Sequence, residues 1–155
     1  MKASYILNKC EILFLINSIT DIPRSCPAQY LLDQYLGDSV VSQDVAEGLV
    51  YKKLAKKSSG KIILEPVIDL LVRYALSSDT LWIVKCADIN EDILVLKCAK
   101  FYLHVRRYPY ISDTWKITPY QSKDSLSGEF DGLIVLNIKC VDKHENNTWI
   151  EDGRK

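Results

Sequence analysis

The chain has 155 residues, of which 48% are hydrophobic, and its 20 Lys and Arg residues balance its 20 Asp and Glu residues. This length suits one folded domain with a real core. A neutral chain has no excess of positive charge for phosphate backbones, so we expect no nucleic-acid partner. The apolar runs at residues 12–16 and 133–136 are far shorter than the roughly 20 residues of a membrane span. We therefore expect a cytoplasmic domain that does not enter a membrane.

The five cysteines are scattered over the chain, and no two have the C-x-x-C spacing. An odd number of scattered cysteines is not typical of a disulfide framework or of a zinc site. We expect reduced thiols, mostly buried, that act as small apolar residues, and no metal or other cofactor. The residues are Cys10, Cys26, Cys86, Cys98 and Cys140.

The N-terminal half has the patterns of helices. Asn8 and Glu11 have the spacing of a capping box, and apolar residues then recur at helical intervals. Pro27 and Pro66 each suit the first turn of a helix. Gly48 falls inside the third predicted helix, where it indicates either close packing or the helix end. Helices are expected over residues 8–20, 25–37, 38–54 and 65–76, with the third starting at Asp38 or Ser39.

The C-terminal half has the composition of β-strands, and residues 121–132 are expected to form a polar loop. Helices followed by strands predict an α+β fold, with N-terminal helices packed on a C-terminal antiparallel β-sheet. We expect one domain over residues 1–155: a helical part at about 8–77, a sheet part at about 80–141 and a polar tail at 142–155. Residues 93–98 and 101–105 are expected to form either two strands or one long strand. Further strands are expected over residues 81–86, 114–118 and 133–140.

No residue pattern predicts catalysis. His104 could act as a general base, but no nucleophile motif accompanies it, and a surface or half-buried strand position is favoured. The acidic turn at residues 88–92 lacks the spacing of a calcium loop, and residues 58–61 lack that of a phosphate loop. We expect no enzyme, no catalytic residue and no bound cofactor. An enzyme whose active site leaves no recognisable sequence motif remains one alternative.

A basic segment at residues 52–61 is the clearest charge feature. Helices followed by a short basic hairpin are typical of winged-helix DNA-binding regulators. Such a regulator is the main alternative to a protein-binding module. Lysines at a helix C-terminus are also favourable for the helix dipole, and this solvated role is the one we expect. The lysines are Lys52, Lys53, Lys56, Lys57 and Lys61.

Aromatic residues are concentrated within residues 102–120. Tyr and Trp are enriched in the hot spots of protein interfaces, although cross-strand aromatic pairs also stabilise sheets. Residues 133–136 are apolar without alternation, which is typical of a strand covered on both faces. We therefore expect a second copy or a client protein to cover part of the sheet. A stable dimer should bury at least about 1,200 Å² of surface in total. The partner-binding candidates are Tyr102, Tyr108, Tyr110 and Trp115.

The order of the short motifs resembles a known family. A helix precedes the sequence Asp-Ile-Pro at residues 21–23, Glu-Gly-Leu follows at 47–49, and Glu-Pro-Val-Ile-Asp-Leu-Leu at 65–71 comes before a strand-rich part. This order, over about residues 6–118, resembles EspG-type proteins, the cytosolic chaperones of ESX (type VII) secretion systems. The resemblance implies a twisted antiparallel sheet and binding of a secreted client, without catalytic residues. EspG-type chains have two related halves, and this chain has room for one. The resemblance therefore implies either a homodimer that restores both halves or client binding by one half alone.

Overall fold

The computed structural model describes residues 4–37 and 43–141, so the predicted helix start at Asp38 or Ser39 and the tail 142–155 lie outside the described residues. The strands are β1 Tyr5–Asn8, β2 Ala55–Ser58, β3 Lys61–Leu64, β4 Thr80–Cys86, β5 Ile93–Lys97, β6 Tyr102–Arg107, β7 Thr114–Tyr120 and β8 Val135–Val141. The helices are α1 Lys9–Asn17, α2 Cys26–Leu31, α3 Gln43–Tyr51, α4 Pro66–Leu76 and α5 Lys123–Ser127. A π-helical turn, Leu32–Leu36, continues α2, and a 3-10 turn, Gly128–Phe130, continues α5.

Six strands form one antiparallel sheet in the order β1-β7-β6-β5-β4-β8. Strands β4 to β7 form a meander, as short connections favour, while β8 returns to pair with β4 and β1 pairs with β7. Strands β2 and β3 form a separate hairpin between α3 and α4. The predicted α+β class with an antiparallel sheet is confirmed.

Three helices, α1, α2 and α4, begin where the local sequence predicts. Asn8 accepts from the Glu11 N–H and Glu11 accepts from the Asn8 N–H, which is the predicted capping box. Ser25 caps α2 with Pro27 in its first turn, and Pro66 opens α4. Buried residues of these helices pack on one face of the sheet, where they form the main core. That core includes Leu13, Leu32, Leu36, Leu81, Leu94, Leu103 and Trp115.

An ion pair between a buried carboxylate and a partly exposed lysine joins α1 to the end of α3. Glu11 is only 3% exposed, and its Oε1 lies 2.6 Å from Nζ of Lys52, whose side chain is 37% exposed. A Cβ at Gly48 would lie 3.1 Å from Glu11 Oε2, so the glycine lets α3 approach this carboxylate. The prediction that Gly48 marks close packing is therefore confirmed, while α3 ends at Tyr51, before the predicted end at Leu54.

The segment expected to be a polar loop instead covers the second face of the sheet. Within residues 121–132, Ser122 caps α5, and Leu126 and Phe130 are buried against Trp82, Val95 and Tyr120. The loop prediction is wrong because two apolar residues four positions apart are enough to dock one helical turn. Strand β8 begins at Val135, and Ile134 and Leu136 are exposed in the single chain, so coverage of this strand by a second copy or a client protein stays a prediction. No helix among the described residues is long and apolar enough to cross a membrane.

The thiols give a prediction for the folded chain. All five cysteines lie within the described residues and none forms a disulfide, and Cys26 is exposed whereas Cys86 and Cys98 are buried. Burial, with a smaller contribution from the Asp79 charge, raises the pKa of the Cys98 thiol to about 12. Because the thiolate is the reactive form, Ellman's reagent near pH 8 should modify Cys26 fast and Cys98 only on unfolding. Fewer than five thiols in denatured protein, or equal rates for Cys26 and Cys98, would contradict this.

Candidate functional site

The four predicted partner-binding aromatics lie in three different environments. Trp115 is 5% exposed and packs in the main core beneath the helix layer, so the chain itself covers it. Tyr102 is half-buried on the second face, where its ring stacks on Trp82 with centroids 6.5 Å apart. Tyr108 and Tyr110 are in the loop between β6 and β7, with ring centroids 5.3 Å apart. Only Tyr110, at 82% exposure, offers most of its ring to a partner.

A polar cleft of about 280 Å³ lies at one end of the sheet, between the π-helical turn and the strands. The Tyr35 hydroxyl donates to Asp92 at 2.7 Å, and Lys85 Nζ lies 3.4 Å from the same carboxylate. Burial and this hydrogen bond raise the pKa of Tyr35 far above its usual range. Arg107 stacks over the Trp115 ring at 4.8 Å. These contacts fasten the helix layer to the sheet end, and the cleft borders an apolar cavity of about 100 Å³.

The edge strand β8 and the residue before it carry exposed apolar side chains. It has seven residues, and no described strand pairs with its outer edge. Ile134, which precedes β8, is 60% exposed, and Leu136 is 67% exposed. The opposite edge strand, β1, has only four residues, and a short edge strand offers little template for pairing. The β8 edge, defined here as Ile134 to Val141, is therefore the better template for another strand.

A lysine in an edge strand normally deters pairing, but Lys139 does not extend away from β8. Its Nζ donates to the Tyr30 hydroxyl at 2.7 Å and lies 4.9 Å from the centroid of the Tyr30 ring. The cation is thus held against α2 on the helix side of the sheet. The exposed side chains next to it, Leu136 and Asn137, carry no charge.

The tyrosine loop and the start of β8 lie at the same end of the sheet. Val135 pairs with Cys86 at the end of β4, and β5 starts beside that end. Because the strands are antiparallel, β6 ends there too, and the loop with Tyr110 and Ile111 follows it. Exposed apolar residues thus occur at two positions on this end of the sheet, Tyr110 and Ile111 on the loop and Ile134 and Leu136 on the β8 edge.

A second polar cleft, of about 130 Å³, lies on the face covered by α5. His104 is buried there, at 5% exposure, so the predicted surface or half-buried position is wrong. The cause is the helical turn at residues 123–130, since Phe130 contacts the imidazole edge-on with centroids 6.0 Å apart. Tyr120 donates to Glu129, and burial and this bond raise the pKa of Tyr120. The cleft is lined by His104, Arg106, Arg107, Lys116, Thr118 and Glu129.

The basic segment forms the end of α3 and the β2–β3 hairpin. The Lys52 ammonium group donates to the Glu11 carboxylate and to the Ile6 carbonyl, and Lys57 lies 3.7 Å from Glu47. Lys56 and Lys57 are exposed on the hairpin.

The hairpin lysines give a prediction about DNA. Replacing Lys56 and Lys57 by Glu should leave a gel-shift with duplex DNA unchanged, because the neutral chain is expected to bind DNA weakly or not at all. The control is the unmodified chain in the same low-salt buffer. Tight, salt-sensitive binding that the double variant loses would favour the winged-helix alternative instead.

Known proteins and metal chemistry add no assignment. No protein-family model and no curated protein sequence matches the chain. Within residues 4–37 and 43–141, no three His, Cys, Asp or Glu side chains come together as a metal-binding group. Of the surfaces described above, the β8 edge is the best template for binding another chain.

Proposed function

We propose that this chain is a non-enzymatic protein-binding module that acts as a cytosolic chaperone or adaptor for a client protein. The observation that carries the proposal is the β8 edge, a seven-residue strand whose outer side pairs with no described strand. An extended client segment adds to such an edge through main-chain hydrogen bonds, and its side chains supply specificity.

The chemistry of the edge defines the client segment. Ile134 and Leu136 are large, apolar and exposed, and the neighbouring Lys139 is folded onto Tyr30. A complementary segment is extended, has apolar side chains at alternate positions and lacks proline at the paired positions. Tyr110 is an exposed aromatic at the same end of the sheet, and it provides a second contact for a client that extends beyond the edge.

We further propose that the chain is a single-half relative of the EspG-type chaperones of type VII secretion. The order of elements supports this. Helix α1 precedes Pro23, the hairpin with Gly60 follows α3, and α4 opens at Pro66 before the meander of β4 to β7 begins. In this proposal the client is a type VII secretion substrate.

Matched lysine substitutions test the binding surface. A tagged chain is used to capture partners from its native cytosol, and capture is compared for Leu136→Lys and Leu70→Lys. Both leucines are exposed, but Leu70 is on α4, away from the sheet edge. We expect Leu136→Lys to weaken capture of one defined partner at least about tenfold, because a charge on an edge strand blocks pairing. Leu70→Lys should capture it normally.

Several outcomes contradict the proposal. Equal capture by both variants would place the partner on another surface. Sedimentation of the pure chain as a dimer that Leu136→Lys dissociates would show that a second copy, rather than a client, occupies the edge. Co-purification of a type VII substrate tests the family proposal separately, since a different client would remove the secretion role and keep the binding role.

A further inference from the structure

The cleft on the second face of the sheet has an uneven charge. Three of its lining residues are the cations Arg106, Arg107 and Lys116, and one is a carboxylate, Glu129. Glu129 already accepts the Tyr120 hydroxyl, and Arg107 lies 3.4 Å from Asp113. The neutral tyrosine does not remove the negative charge of Glu129, so the cleft keeps an excess of positive charge because Arg106 and Lys116 together outweigh this one carboxylate.

Arg106 and Lys116 are direct cross-strand neighbours. They are paired in the register of β6 and β7, so their side chains leave the sheet side by side on the same face. Neither forms an ion pair or a side-chain hydrogen bond with another residue in the described part of the chain. Like charges directly opposite each other destabilise an antiparallel pair. The fold thus keeps a repulsive pair that an anion between the two cations would neutralise.

The next cross-strand pair on the same face is polar and buried, and it forms the floor of the cleft. His104 and Thr118 form the register pair two residues further along β6 and β7, and both are buried. Residues two apart on a strand share a face, so the imidazole and the hydroxyl lie next to the two cations. The Thr118 hydroxyl also contacts the Ser4 hydroxyl at 2.9 Å. Two cations above hydroxyl and imidazole groups form a site rich in hydrogen-bond donors.

We propose that this cleft binds a small oxyanion of the phosphate class, either inorganic phosphate or a phosphomonoester group. Arg106 supplies a planar guanidinium that can bind two phosphate oxygens, and Lys116 supplies a point charge opposite to it. The volume of about 130 Å³ suits one such group and excludes a folded macromolecule from the floor. The site is on the face opposite the helix layer and does not depend on the client-binding proposal.

Histidine NMR provides a direct reporter, because the chain has only two histidines, His104 and His144. The spectrum of His144→Gln identifies the His104 imidazole signal. Titration with inorganic phosphate should shift this signal saturably, whereas sodium chloride at equal ionic strength should not. Phenyl phosphate tests whether a phosphomonoester binds as well as the free ion.

Charge-neutralising variants decide whether the cations bind the anion. In Arg106→Gln with Lys116→Gln, phosphate affinity should fall about tenfold or more, since two charge-assisted contacts are lost. The matched control, Lys56→Gln with Lys57→Gln, removes two positive charges from the hairpin and should keep the affinity. Without phosphate, the cleft variant should unfold at a higher temperature than the unmodified chain, because the repulsion is gone.

Three results would overturn the proposal. The first is a His104 shift that chloride reproduces at equal ionic strength. The second is a phosphate affinity that is the same in the cleft variant and the hairpin variant. The third is a cleft variant that, without phosphate, unfolds at a lower temperature than the unmodified chain, which would show that the two cations stabilise the fold by themselves.

Discussion

Replacement of Phe130 by alanine is expected to lower the free energy of unfolding by about 3–5 kcal/mol, the range measured for buried aromatic side chains. Phe130 is 1% exposed and packs on the second face of the sheet with Trp82, Val95 and Leu126. Its removal leaves a cavity under a helical segment of only eight residues, α5 and the 3-10 turn that follows it. The segment has few other apolar contacts, so we expect it to detach from the sheet.

Urea unfolding followed by circular dichroism measures this loss. Tyr51→Ala is the matched control, because it truncates an aromatic ring that is exposed at the end of α3. The control should change the free energy of unfolding by less than about 0.5 kcal/mol. A Phe130→Ala protein as stable as the control would mean that residues 123–130 do not cover the second face.

Replacement of Glu11 by alanine is expected to lower the free energy of unfolding by about 3 kcal/mol, because it removes two interactions of a buried carboxylate at once. Glu11 accepts from the Asn8 N–H at 2.9 Å, which closes the capping box, and it binds Lys52 at 2.6 Å. Glu11→Gln keeps an oxygen for the Asn8 N–H and loses only the charge. It should therefore cost clearly less than Glu11→Ala.

A double-mutant cycle separates the ion pair from the cap. Lys52→Met alone leaves the buried Glu11 charge without its cation, so it should destabilise the chain. Glu11→Gln combined with Lys52→Met should cost less than the sum of the two single changes, because neither charge remains unpaired. Full additivity in urea unfolding would contradict a direct interaction between these side chains.

The starts of α1, α2 and α4 could be predicted from sequence because their causes are local. Asn8 and Glu11 are three residues apart, and the Ser25 cap of α2 and the first-turn proline of α4, Pro66, are likewise set by neighbouring residues. Strand β1 could not be predicted, because it exists only through pairing with β7, where Leu7 opposes Trp115 more than 100 residues away. The ion pair between Glu11 and Lys52 is non-local in the same way, so Lys52 seemed from the sequence to be a solvated helix-end lysine.

The candidate surface was only partly predictable. Tyr110 and Trp115 are both aromatic residues in a β-rich segment, and the sequence does not tell which one faces the core. The structure separates them, because Trp115 packs under the helix layer whereas Tyr110 is at the tip of a loop. The apolar run at 133–136 indicated a strand covered on both faces, but the sequence does not tell that this strand lies at the edge of the sheet. Strand order decides this, and it follows from the return of β8 to the outer side of β4.

In the proposed mode of binding, a client segment pairs with the β8 edge. Hydrogen–deuterium exchange of the backbone amides in β8, Val135–Val141, measured with and without the captured partner, tests it most directly. Strand addition hydrogen-bonds the outward amides of β8, so we expect about tenfold or slower exchange at alternate residues, with little change in β1 at the other edge. Unchanged exchange throughout β8 in a saturated complex would contradict the proposed mode of binding.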